Sequence, residues 1–101
     1  MTTDDMRINR EVRHLLTRKW IKLQRLSFNC VSGTLYIHGR IELMREPNTA
    51  RTEKVTDQFG VGPKFLIQLE RDLLKIGGLR AVRWDIMGWH KGSMGWSHRG
   101  L

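Results

Sequence analysis

The chain has 101 residues, a length that fits one domain around a single hydrophobic core. Hydrophobic residues make up 40% of it and charged residues 28%, which is ordinary globular usage and excludes wholesale disorder. Lys and Arg number 18 against 10 Asp and Glu, so the net charge is +8 and the isoelectric point is near 10.6. This balance favours polyanionic partners, either nucleic acid or an anionic membrane surface.

Cys30 is the only cysteine, which excludes an internal disulfide and a Cys-rich zinc site and suits a reducing compartment. Residues 1–5 are polar and acidic, unlike a secretory signal. No apolar run approaches the ~20 residues that a membrane-spanning helix needs. We therefore expect a cytoplasmic protein without a transmembrane segment.

An amphipathic helix is predicted for residues 5–22, because apolar side chains recur there at steps of three and four. The rest of this helix is strongly basic and contains Glu11 as the single opposing acid. We call its cations the basic ridge; they are Arg7, Arg10, Arg13, His14, Arg18, Lys19, Lys22 and Arg25. The ridge is either a binding surface for a polyanion or a solvated face that keeps the domain soluble. Lys19 falls inside the apolar arc, so either its stem snorkels or it marks the fraying end of the helix.

A β-hairpin is predicted for residues 26–43, where apolar residues alternate with period two and Ser32-Gly33 supplies the break. One face would carry the apolar set Leu26, Phe28, Cys30, Leu35, Ile37 and Ile41. Tyr36, His38 and Arg40 would point the other way. Gly39 would lie on the buried face and admit a close neighbour, for which a packed helix is the plain candidate.

The second half of the domain is predicted as a long loop, a helix and a strand. The loop covers residues 46–62, and the helix begins at Pro63 and stops at Gly77-Gly78. Residues 79–86 alternate again and form a third strand. The predicted fold is therefore a single α+β domain over residues 1–87, of order α-β-β-α-β, with a three-stranded mixed sheet packed on two helices.

Residues 88–101 carry many glycines and no sustained period, which predicts a flexible tail. The tail interleaves Trp89, Lys91 and Trp96 with histidines, a composition suited to base stacking or to anchoring at a headgroup layer. The alternative is an unstructured terminus in which Trp89 folds back on the core. His90 and His98 lack a third ligand at defined spacing, so no metal site or cofactor is expected.

Two segments resemble the BON domain, the small module named from bacterial osmotic-stress and nodulation proteins. Over residues 8–41 a helix leads into a hairpin with Gly33 in the turn and Gly39 six residues on, and residues 69–86 are similar to that family's helix, small-residue turn at Gly78 and last strand. The resemblance implies a non-catalytic domain that binds phospholipid membranes or protein partners. It carries over only Gly33 and Gly39, as structural positions and not as ligand sites. Gly78, in the turn that ends the second helix, is also expected to be structural.

The sequence shows no recognisable set of catalytic residues. The acidic residues form no acid/base pair, and Cys30 lies on the face opposite His38. The expected function is a binding or adaptor module that docks to a protein partner or an anionic phospholipid surface. The expected contacts are the basic ridge and the tail residues Trp89, Lys91 and Trp96. Nucleic-acid binding is the alternative, a subunit role in a larger assembly is a third reading, and an unpaired sheet edge leaves self-association open.

Overall fold

The computed structural model describes residues 3–44, 61–93 and 95–98. The helices are α1 (Thr3–Arg18) and α2 (Pro63–Leu74), with a short 3-10 helix at Leu23–Arg25. The strands are β1 (Leu26–Val31), β2 (Thr34–Gly39), β3 (Ala81–Ile86), β4 (Trp89–Gly92) and β5 (Gly95–His98). The predicted α-β-β-α-β order is confirmed through β3, and β4 and β5 follow it. Most of the predicted loop, residues 46–60, lies outside the described residues.

The main sheet has the strand order β1-β2-β3, with β1 antiparallel and β3 parallel to β2. The predicted α+β fold with a three-stranded mixed sheet and two helices is therefore confirmed. The core lies between the helices and one face of the sheet. Its fully buried side chains are Ile8, Val12, Leu16, Ile21, Cys30, Leu35, Ile37, Val61, Leu66, Leu69 and Leu73. The period-three-and-four spacing in the helices and the period-two spacing in the strands account for this set apart from Ile21 and Val61, which lie outside those elements.

The first helix ends earlier than predicted, at Arg18 rather than Lys22. Trp20 takes a left-handed backbone conformation with φ of 65°. The amide of Trp20 donates to the Thr17 carbonyl at 3.0 Å, and the amide of Ile21 donates to the Leu16 carbonyl at 3.1 Å. These two bonds form a Schellman motif, in which buried Ile21 packs back toward Leu16. The apolar spacing continues past this point in the sequence, which is why the predicted helix was too long.

The hairpin turn is confirmed at Ser32-Gly33. Both residues have positive φ, 51° and 83°, as a two-residue type I′ turn requires. Asp5, a buried carboxylate of α1, accepts hydrogen bonds from the Ser32 amide at 3.3 Å and from the Cys30 thiol at 3.5 Å. The acidic start of α1 therefore holds the hairpin turn as well as suiting the helix N-terminus.

Gly39 does admit a close neighbour, and the neighbour is the Arg25 carbonyl at the end of the 3-10 helix rather than α1 or α2. A Cβ at position 39 would stand 2.4 Å from the Arg25 carbonyl oxygen, and the φ of Gly39 is +117°. The Arg25 carbonyl accepts the Arg40 amide at 2.8 Å, so the close approach extends the β1–β2 ladder. Gly78 is also structural. Its φ is +92°, and a Cβ at this position would lie 3.2 Å from Cδ1 of Ile8.

The flexible tail predicted for residues 88–101 is corrected by the structure, which places β4 and β5 there as an antiparallel hairpin. Its Trp96 ring packs edge-on against the Trp84 ring at 5.2 Å, and the Lys91 ammonium pairs with the Glu70 carboxylate. Strands of only four residues are too short to show a period, so the sequence pattern could not reveal them. Residues 99–101 lie outside the described part.

We predict that Gly39→Ala lowers the free energy of unfolding by at least about 2 kcal/mol, because the new Cβ meets the Arg25 carbonyl and the backbone is left-handed. Urea denaturation followed by circular dichroism measures the loss. The control is Gly77→Ala, where a Cβ meets nothing within 4 Å, so we expect a change below about 0.5 kcal/mol. Equal losses in the two variants would contradict the prediction.

Candidate functional site

An open groove of about 1200 Å³ lies along α1 beside the C-terminal end of α2. It is lined by Arg7, Glu11, Arg13, His14, Leu15, Thr17, Arg18, Lys19, Asp72, Lys75, Ile76 and Gly77. Five members of the predicted basic ridge are thus brought together on one wall. Cations outnumber carboxylates in this lining, so the groove attracts anions.

The cations of the groove differ in what they already bind. Arg7 donates to the Gly77 carbonyl at 2.7 Å and pairs with Glu11 at 3.3 Å, so it ties α1 to the turn after α2. Arg18 is exposed and makes no ion pair with the part of the chain that the structure describes. Arg10, one turn from Arg7 on the outer side of α1, is exposed and likewise without an ion pair to any described residue.

Two other members of the basic ridge, Arg13 and Lys22, contact neighbouring side chains. The Arg13 guanidinium carbon lies 5.5 Å from the centre of the Phe28 ring, a cation–π contact with β1. Lys22 lies 3.9 Å from the Glu42 carboxylate, and Arg25 is exposed in the 3-10 helix. Neither Lys22 nor Arg25 lines the groove, because the turn at Trp20 carries the chain away from the axis of α1. The ridge is therefore not one continuous surface.

The sequence reasoning missed the contribution of α2 to this site. Lys75 joins the groove from the end of α2, and Asp72 binds Lys19 at 2.7 Å. Gln68 donates to the other Asp72 oxygen at 2.9 Å. The hydrogen bond from Lys19 holds the pKa of the Asp72 carboxyl below its usual value. Lys19 was expected either to snorkel or to mark the end of the helix. It directly follows Arg18, the last residue of α1, and joins α1 to α2 through this ion pair.

Two exposed apolar side chains lie where α1 ends. Trp20 is 41% exposed and Met44 is 51% exposed. The Met44 amide donates to the Trp20 carbonyl at 2.7 Å, so these residues are neighbours in the fold although 24 positions separate them in the chain. Arg18 and Lys22 flank Trp20 in sequence, which combines an aromatic ring with cations at this end of the ridge.

The three tail residues assigned to the binding surface lie elsewhere. Trp89 is 5% exposed and belongs to the core, which removes it from any contact surface. This agrees with the alternative in which it folds back. Trp96 is half-buried against Trp84, and Lys91 is engaged with Glu70. Together with neighbouring residues, all three border a separate cavity of about 360 Å³ that shares no lining residue with the groove.

The expected separation of Cys30 from His38 is confirmed, since Cys30 is buried and His38 is exposed. Burial raises the pKa of the Cys30 thiol, and the Asp5 carboxylate adds to the rise. A thiol held protonated in this way is a poor nucleophile at neutral pH. Among the described residues no three His, Cys, Asp or Glu side chains are grouped to hold a metal ion.

The geometry defines a class, a small basic α+β domain whose cationic helix borders an open groove. Comparisons with protein-family models, with curated proteins and with solved structures found no match for this chain. In the described ranges, neither helix is long and apolar enough to cross a membrane.

We predict that acid weakens the link between α1 and α2 by protonating Asp72. The pKa of Asp72 in the folded protein lies below the usual 3.8, so its stabilising contribution is complete above that value and disappears as pH falls through the lowered pKa. Asp72→Asn should cost roughly 0.5–1 kcal/mol at neutral pH. The cost should shrink as the pH is lowered below 3.8. Urea denaturation across this range measures it.

The control is Asp4→Asn, which removes an exposed carboxylate from the same domain. Its effect on stability should stay within about 0.5 kcal/mol at every pH. A cost of Asp72→Asn that is independent of pH would contradict the assignment of the ion pair.

Proposed function

We propose that this chain is a non-catalytic, BON-like binding module that docks on an anionic phospholipid surface through the outer face of α1. The observation that carries the proposal is the pair Arg10 and Arg18, both exposed and neither paired with a described carboxylate. A cation already held by a carboxylate must exchange partners to bind phosphate. These two guanidiniums keep their donors available for a phosphate group.

The shape of the surface supports contact with an extended partner. α1 has 16 residues, so it is ~24 Å long at 1.5 Å per residue. Arg10 and Arg18 lie two turns apart on it, with His14 between them. A helix that presents cations along its length can lie flat on an anionic layer, where each cation contributes about 1 kcal/mol.

The apolar pair at the end of α1 favours a lipid surface over nucleic acid. Trp20 and Met44 are exposed beside the cations, and an amphipathic ring is favourable at the boundary between headgroups and acyl chains. The three aromatic residues considered for base stacking are poorly placed for it. Trp89 is buried, Trp96 packs against Trp84, and Tyr36 lies on the face of the sheet opposite the helices.

We predict that Arg10→Glu with Arg18→Glu lowers affinity for anionic vesicles at least ~30-fold, because two cations worth about 1 kcal/mol each are lost. Binding is measured by co-sedimentation with vesicles of phosphatidylcholine with and without phosphatidylglycerol. The parent chain should bind only the anionic vesicles and lose affinity as salt rises.

The matched control is Arg71→Glu with Arg80→Glu, which makes the same change in net charge away from the groove lining. It should retain most of the binding. The proposal would be contradicted if the parent chain did not bind anionic vesicles, or if both double variants lost the same amount of affinity. Binding of an oligonucleotide instead, with a log–log salt slope of about −3 to −5, would assign the alternative function. Binding of a purified acidic protein without vesicle binding would assign a protein partner.

A further inference from the structure

The outer edge of β3 is the end of the main sheet, since the strand order is β1-β2-β3. β4 and β5 follow β3 in the chain, but they form their own two-stranded sheet and pack beside α2 instead of extending the main one. At the opposite end of the sheet, the edge of β1 is partly satisfied, because the Cys30 amide donates to the Asn9 side chain at 2.9 Å. The β3 edge has no such partner among the described residues.

The hydrogen bonds to β2 determine which groups of β3 point outward. The amides of Ala81 and Met87 donate to the carbonyls of Gly33 and Gly39, at 3.4 and 2.7 Å. In a parallel ladder every second residue bonds its neighbour with both its N–H and its C=O. Arg83 and Asp85 therefore bond toward β2. The intervening residues Val82, Trp84 and Ile86 direct both backbone groups away from the sheet.

This spacing permits antiparallel pairing of two β3 strands. Hydrogen-bonded pairs must join residues whose backbone groups point outward on both strands. Centring the pairing on Trp84 meets this condition, since Trp84 then faces the second Trp84 and Val82 faces Ile86. The side chains of these pairs share the helix face of the sheet, and all are apolar.

The charges of β3 select that alignment. Arg83 and Asp85 are exposed on the open face of the sheet. When the pairing is centred on Trp84, each Arg83 lies directly opposite an Asp85 in a non-hydrogen-bonded pair, where side chains come closest. Shifting one strand by two residues in either direction puts Arg83 opposite Arg83, or Asp85 opposite Asp85. Both shifted alignments place like charges together.

We infer that two copies of this chain associate through β3, antiparallel and centred on Trp84, to give one continuous six-stranded sheet. The interface is isologous, so each Arg83–Asp85 pair occurs twice. Edges that resist pairing use charges of one sign or bulges, whereas the two opposite charges here complement a second copy. The inference goes beyond membrane docking and does not depend on it.

The arrangement has a consequence for the basic face of α1. A two-fold axis perpendicular to the sheet leaves both helix layers on the same side. α1 contacts β1, at the end of the sheet away from β3. The dimer would therefore present two cationic helices to the same side, and two linked sites bind one surface more tightly than either does alone.

Sedimentation equilibrium over a concentration series tests the dimer with a charge swap. Arg83→Asp alone and Asp85→Arg alone each put like charges opposite each other at both symmetric pairs. Each should raise the dimer dissociation constant at least about tenfold. The double variant R83D/D85R restores opposite charges and should recover the affinity of the parent chain. Circular dichroism checks that every variant folds.

The two single changes alter net charge in opposite directions, and the double variant leaves it at +8. General charge repulsion would therefore weaken one single variant and strengthen the other, whereas the inferred pairing weakens both. Slower amide exchange at Val82, Trp84 and Ile86 as protein concentration rises would support it further. The inference would be overturned by a parent chain that is monomeric up to millimolar concentration. It would also be overturned by single variants with the dissociation constant of the parent, or by a double variant that does not recover it.

Discussion

At the end of α1, the left-handed backbone of Trp20 reverses the chain and returns Ile21 to the core against Leu16. An L-residue in that conformation costs about 1–2 kcal/mol, and burying the Ile21 side chain offsets it with about 1.5–3 kcal/mol. Ile21 then pairs with Leu43, which leaves β1 beneath α1 and the helix's polar face toward solvent. The position of the cationic surface depends on this turn.

The cations of this basic chain have two different roles. Lys19 binds Asp72 and Arg7 binds the Gly77 carbonyl, so these two cations hold α1 against the end of α2 and serve the fold. Arg10 and Arg18 face solvent without a described ion pair. Net charge therefore overstates the number of cations on this helix that are not already held by another group of the domain.

The C-terminal hairpin explains why the main sheet stops at β3. Trp89 and Trp96 bury their rings against the core and Trp84, which directs β4 and β5 beside α2 rather than along the sheet. The apolar contacts that order this segment thus leave the backbone of β3 without a described partner on its outer side. The same tryptophans stabilise the domain and set the edge of β3 that no described residue pairs with.

The sequence by itself determined the element order through β3, the buried faces of those elements and the turn at Ser32-Gly33, because hydrophobic period and turn chemistry are local properties. It also located the cations on the first helix. Only the tertiary structure decided which of them stay exposed, since Asp72 and Gly77 reach α1 from more than 50 residues away. The end of α1 at Trp20, the ordering of Trp89 and the outward-facing edge of β3 likewise arise from packing between distant segments, which no local pattern records.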